Sequence, residues 1–249
     1  MFGMDGGPYP LSEPESRAVV DAFAARPYIA AAITHHTFTG ALLTQPYRKQ
    51  SPMSRADIEL MEALGKQAVA QTDYRVIRVY PDFVYDDEME VVGVWSDTLS
   101  STFGIPGYTL ELWDPFRFCG IDNPNPAQFF RAPDPERLRG LIEGFQDIEG
   151  GWSPWTSFEH PQLGAVELGG LDFMMTVRNP PPHELEAECL RAHSVVHRMR
   201  RALPKVTAEV EISAHGEGLY HVQLKLENSG FLSTSSLQRG TSWTHCPTV

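Results

Sequence analysis

Residues 28–40 read Tyr28-Ile29-Ala30-Ala31-Ala32-Ile33-Thr34-His35-His36-Thr37-Phe38-Thr39-Gly40. The run from Tyr28 to Thr34 is continuously apolar and of strand length, as expected of a strand buried on both faces of a sheet. Working outward, Ser12-Glu13-Pro14-Glu15 reads as a capping box with Pro in the first turn. It opens a helix through Val19, Val20, Phe23 and Ala24 that Arg26-Pro27 stops. A second helix starts near Ser54 and carries Ile58, Leu60, Met61, Leu64 and Val69, and strands are expected around 76–80 and 107–113. Strands interleaved with helices place the chain in the α/β class.

Beyond this the pattern changes. From Asn123 to Pro135 the composition shifts to Pro, Asn and Gln, the mark of a loop or boundary. A helix over 135–146, an irregular Trp-, Pro- and Gly-rich region and a helix over 183–202 follow. Val206, Ala208, Val210 and Ile212 then alternate with polar residues, as do Val222, Leu224 and Leu226, around the turn residues Ala214-His215-Gly216-Glu217-Gly218. That is a β-hairpin, read as the start of a small all-β domain.

The 249 residues carry 20 Lys and Arg against 32 Asp and Glu, a net charge of −12, and the longest basic run is His197-Arg198-Met199-Arg200-Arg201. This argues against a nucleic-acid partner, whose phosphates need clustered cations. Hydrophobic residues at 42% are enough for a packed core. Cys119, Cys189 and Cys246 are too few and too scattered for a disulfide framework or a cysteine zinc site. No stretch approaches the ~20 apolar residues of a membrane span. No signal-peptide pattern is visible near Met1, so the sequence assigns no compartment, with the cytoplasm as default.

Two residues could carry chemistry. His36 follows an apolar strand, and strand ends are where open α/β sheets present their ligand sites. It reads either as a metal-ligating imidazole or as a loop histidine bonded to the backbone. Glu111, in Tyr108-Thr109-Leu110-Glu111-Leu112-Trp113, is either turned to solvent by strand alternation or buried, where desolvation would suit it to act as a base. His183-Glu184-Leu185-Glu186 has zinc-ligand spacing and His193 and His197 are four apart, but their helix is rich in Glu and Arg and reads as solvated. His160 and His215 read as loop and turn residues, and Gly6-Gly7, Gly150-Gly151 and Gly169-Gly170 as turns rather than a phosphate cradle.

Taken in order, these segments resemble the carboxypeptidase A-like zinc metallopeptidases. His36-Thr37-Phe38-Thr39-Gly40-Ala41-Leu42-Leu43 with Pro46-Tyr47 resembles the segment around that family's last zinc-binding His, with one extra residue before the Pro. Phe83-Val84-Tyr85-Asp86, Gly93-Val94-Trp95-Ser96-Asp97 and Phe103 through Trp113 are similar to the approach to its catalytic Glu. Gly6 to Glu15 upstream, His160 to Gly170, Asn179-Pro180-Pro181-Pro182 and, at the end, Glu227 to Leu232 also fit their places. The resemblance implies a mixed-sheet carboxypeptidase-like domain with helices on both faces, here incomplete. It further implies His36 as the third zinc ligand, Asp97 as part of the substrate-specificity loop and Glu111 as the general base. The implied reaction is proteolysis, with zinc-activated water hydrolysing the last bond of a peptide or protein C-terminus and Glu111 shuttling the proton.

The departures are as informative. The H-x-x-E pair that would give the first two zinc ligands does not occur before His36, nor does the Asn-Arg element that would grip the substrate carboxylate. His183 and Glu186 fall after Glu111 and cannot replace them, and no mobile Tyr is matched near Met89 to Val92. The expected division is therefore the C-terminal half of a catalytic domain over 1–130, a helical and irregular extension over 131–204, and a partial β-domain over 205–249. On this reading the chain is a fragment with little peptidase activity alone; the alternative is a catalytically inactive carboxypeptidase-like peptide-binding protein.

Overall fold

Side-chain caps start several helices where the sequence places them. Ser54 Oγ accepts the Asp57 N–H at 3.1 Å, opening α2, and Asp134 accepts the Glu136 N–H at 2.9 Å, opening α7. In chain order the helices are α1 (Pro14–Ala24), α2 (Arg55–Val69), α3 (Val79–Asp82), α4 (Trp95–Thr98), α5 (Pro115–Phe118), α6 (Gln128–Arg131), α7 (Pro135–Phe145) and α8 (Leu185–Arg201). The strands are β1 (Ala32–Thr37), β2 (Ala41–Thr44), β3 (Arg75–Arg78), β4 (Gly107–Leu112), β5 (Trp152–His160), β6 (Gly164–Leu171), β7 (Val206–Ala214) and β8 (Tyr220–Asn228). The computed structural model describes residues 7–84, 91–123 and 125–242. Gly6, Cys246 and the expected features over 85–90 lie outside them.

The main sheet has the order β1-β4-β2-β3. β1 runs parallel to β4, β4 antiparallel to β2, and β2 parallel to β3, so the sheet is mixed. Tyr108 and Leu110 of β4 and Leu42 of β2 are fully buried on the face covered by α2 and α8, where Met61, Leu64, Val195 and Met199 complete the largest core. The opposite face buries Ala41, Leu43, Tyr47, Ile77 and Val79. A third cluster, with Phe38, Trp113, Phe116, Leu141 and Phe145, sits beyond the ends of β1 and β4. Helix α8 thus belongs to the same core as β4, and the packing runs across the boundary expected at residue 130.

Several expectations are corrected. The apolar strand begins at Ala32 rather than Tyr28, which is 77% exposed, and includes both histidines. Among the described residues it is an edge strand, paired with β4, and it is half-buried rather than covered on both faces. The capping box at Ser12 does not form. Ser12 Oγ donates to Glu13 Oε1 at 2.9 Å, and the helix starts at Pro14, whose missing N–H needs no cap. The irregular region is in fact the β5–β6 hairpin, interrupted by a register shift between Ser153 and Thr156. Long helices cover one face of the main sheet, whereas short helical turns lie on the other.

The β7–β8 hairpin is where the alternation puts it, with Val210 opposite Leu224 and Ile212 opposite Val222. Among the described residues no helix is long and apolar enough to cross a membrane.

Candidate functional site

Period-two alternation along β4 decides the site. Tyr108 and Leu110 turn into the α2–α8 core, which sends Thr109 and Glu111 to the opposite face. Glu111 is not carried into solvent there: it is 7% exposed. It faces Ala41 of β2 on one side and His36 of β1 on the other. Burial pushes its carboxyl up to about 7, against the opposing pull of the Arg178 cation. Among the described residues Glu111 Oε2 has no hydrogen-bond partner.

His36 Nδ1 lies 3.9 Å from Glu111 Oε1. That is too long for a hydrogen bond, though near enough for a small group between them to touch both. Partial burial, and then the neighbouring His35, lower the proton affinity of His36. Its imidazole is therefore neutral at neutral pH, with a lone pair available.

Arg178 had no signal in the sequence. It ends a short π-helical turn (Met174–Arg178), donates from Nη1 to the Thr37 carbonyl at 2.9 Å, and lies 5.6 Å from the centres of the Phe38 and Phe173 rings. A cation over aromatic faces is held with little freedom. It brings a positive charge to a carboxylate far away in sequence.

Asp97 lies on α4, which packs against β4 and β1, and is buried. Its Oδ1 accepts Gln45 Nε2 at 2.8 Å, and Arg48 Nη2 is 3.9 Å from its Oδ2. The neighbouring Ser96 Oγ is 2.9 Å from Thr109 Oγ1 and also meets the Tyr47 hydroxyl. Burial pushes the Tyr47 phenol up to about 12, the charges of Asp97 and Glu111 adding to the effect. Polar side chains therefore follow one another from Glu111 past Thr109 and Ser96 to Asp97, a seam whose hydrogen bonds are those of Thr109, Ser96 and Tyr47 and, separately, of Gln45 and Asp97. His36 and Glu111 come together; Asp97 joins them only through this seam.

The discounted histidines lie elsewhere. His160 Nδ1 accepts the N–H groups of Gln162 and Leu163 at 3.1 and 3.2 Å, closing the β5–β6 turn. His193 and His197 neighbour each other on α8, their ring centres 6.1 Å apart. The solvated reading of α8 is incomplete, however, because Glu188 is only 3% exposed. Its Oε1 accepts the Trp113 N–H at 2.7 Å and the Tyr74 hydroxyl, while its Oε2 accepts Arg191 Nε and Nη2 at 3.0 and 2.7 Å. Trp113, just past the end of β4, is 1% exposed and has φ 65°. A non-glycine residue there costs about 1–2 kcal/mol.

A catalytic zinc ion takes three protein ligands and keeps a place for water. Among the described residues no group of three His, Cys, Asp or Glu side chains is placed to hold a metal ion. His36 and Glu111 do not suffice, and zinc does not fit the site these residues form by themselves.

No protein-family model matches the chain, and no curated protein matches it. Among solved structures, the crystal structure of thrombin activatable fibrinolysis inhibitor (TAFI) is similar, with a TM-score of 0.32 and 18% identity over 55% of this chain and 34% of that one. The chain thus spans about a third of the structure it matches. A likeness of that size carries no argument about activity. The fold class is mixed α/β.

Proposed function

We propose that this chain supplies the base-bearing part of a carboxypeptidase-type site that hydrolyses the C-terminal bond of a peptide or protein. The observation that supports the reading is the pairing of Glu111 with His36: adjacent in register on parallel strands, 3.9 Å apart, with the carboxylate buried and one of its oxygens unpartnered. A carboxyl that binds its proton at about 7 is matched to taking a proton from a nucleophile and returning it to a leaving amine near neutral pH. His36 offers a neutral nitrogen beside it. Arg178 keeps a share of the Glu111 carboxylates ionised despite burial, and the Asp97 seam offers polar contacts for a substrate side chain.

Because zinc does not fit these residues alone, the reading requires two further ligands and a carboxylate-binding group from polypeptide outside them. The isolated chain is expected to hold well under one zinc ion per molecule by atomic absorption; one tightly held ion would overturn the requirement. The in-frame coding sequence upstream of Met1 is expected to encode H-x-x-E and Asn-Arg. Joined to that segment, the chain should release phenylalanine from benzoyl-glycyl-phenylalanine, and Glu111→Gln should slow the release by about 10²–10⁴-fold. An unchanged rate in the Glu111→Gln protein would remove Glu111 from the mechanism.

The lack of a three-donor group among the described residues favours a second reading, a catalytically inactive peptide-binding protein. Absence of the upstream motifs, together with binding of the same compound by the chain alone, would select it.

A further inference from the structure

The geometry points to Glu188 as the positioning residue of this site: through the Trp113 backbone amide it fixes where the end of β4 presents Glu111. The inference deepens the proposed function and rests on it for its catalytic meaning. Trp113 follows Glu111 by two residues and holds a left-handed backbone conformation without being glycine. Such a conformation persists only where the surroundings determine it fully.

Three contacts do so. The Trp113 N–H donates to Glu188 Oε1 at 2.7 Å, its carbonyl accepts the Thr39 N–H at 2.9 Å, and its indole Nε1 donates to the Thr176 carbonyl at 2.7 Å. Thr39 lies just past the end of β1, which carries His36. Thr176 is two residues before Arg178. Trp113 is therefore the knot at which the segments bearing His36, Glu111 and Arg178 meet.

Two of its three anchors are neutral main-chain groups. The third is a buried carboxylate, which makes the stronger hydrogen bond. Arg191 makes that burial tolerable by binding the other oxygen twice. Tyr74, immediately before β3, shares Oε1 with Trp113, so the same carboxylate also ties the far edge of the sheet to the knot. Without it Trp113 would be free to relax from its left-handed conformation, and the strand end carrying Glu111 would turn with it.

The test uses nitrogen-15 NMR on the chain at a fixed pH of about 8. In Glu188→Gln the Trp113 amide should exchange with solvent at least about tenfold faster, and the His36 ring nitrogen signals should move. Tyr74→Phe, which leaves Glu188 on the Trp113 amide, should leave the His36 signals where they are. Glu188→Asp, one methylene shorter with the charge kept, should move them as the Gln variant does, and it serves if the Gln variant does not fold. A variant of Glu188 that loses stability while its His36 signals stay in place would make Glu188 merely structural and overturn the inference. In the joined protein, Glu188→Gln should lower kcat with KM unchanged. Failure of the hydrolase reading appears separately, as an unchanged rate in Glu111→Gln, and leaves the NMR result as it is.

Discussion

Glu111→Gln should convert a pH-dependent stability into a flatter one. The native carboxyl binds its proton at about 7 against an ordinary 4.5 because burial penalises the charged form. A group raised in this way supports the fold fully below the unfolded value, and the support is lost as pH rises through the folded value. Between pH 4.5 and about 7 the native state holds more proton than the unfolded chain, so unfolding becomes easier with each step in pH. At roughly 1.4 kcal/mol per pH unit, the gap amounts to about 3 kcal/mol, reached in full above about pH 7. Glutamine keeps the shape and does not titrate. Its amide hydrogens add a fixed offset, so the informative quantity is the change of the difference with pH. Urea unfolding of both proteins from about pH 4 to 8.5 should show the variant gaining about 3 kcal/mol on the wild type, corresponding to about 6–12 °C in Tm for a chain of this size. A difference that stays flat across the window would refute the claim that Glu111 is desolvated.

Other outcomes follow from the same contacts. Arg178→Met should raise the Glu111 proton affinity further, because its cation is the group that lowers it; the upper edge of the pH window should move to higher pH while the lower edge stays, read by the same titration. Leu110→Ala, which empties a fully buried place between the sheet and α2, should cost about 2–5 kcal/mol in urea unfolding. Ile212→Ser on the exposed β7–β8 hairpin, where Ile212 is 66% exposed, should change stability by less than about 0.5 kcal/mol. It should also reduce any self-association seen by size exclusion, since it takes an apolar side chain off an uncovered face.

The reach of the sequence follows from the range of the forces that it encodes. Ser54 and Asp134 announce their helices because a cap is satisfied within three residues, and the β7–β8 hairpin shows in its alternation because pleating is local. The order of His36 and Glu111 along two strands was also visible, although β1 was displaced toward Tyr28: an apolar run does not say which sheet edge will cover it. The β5–β6 hairpin was hidden by its Pro and Gly, whose place in a strand depends on a bulge that only the partner strand defines.

What tertiary structure alone decided is the environment of each charge. Alternation left Glu111 either exposed or buried, and only the folded chain, in which it is 7% exposed, settles that it is buried. Arg178 and Glu188 look like ordinary surface charges in their own segments, since nothing within a helical turn distinguishes a carboxylate facing water from one facing the Trp113 amide. Desolvation and charge pairing act between residues far apart along the chain. The residue types that can do chemistry were therefore readable from the sequence, while the proton affinities and anchoring that would let them do it arise only where the strand ends meet.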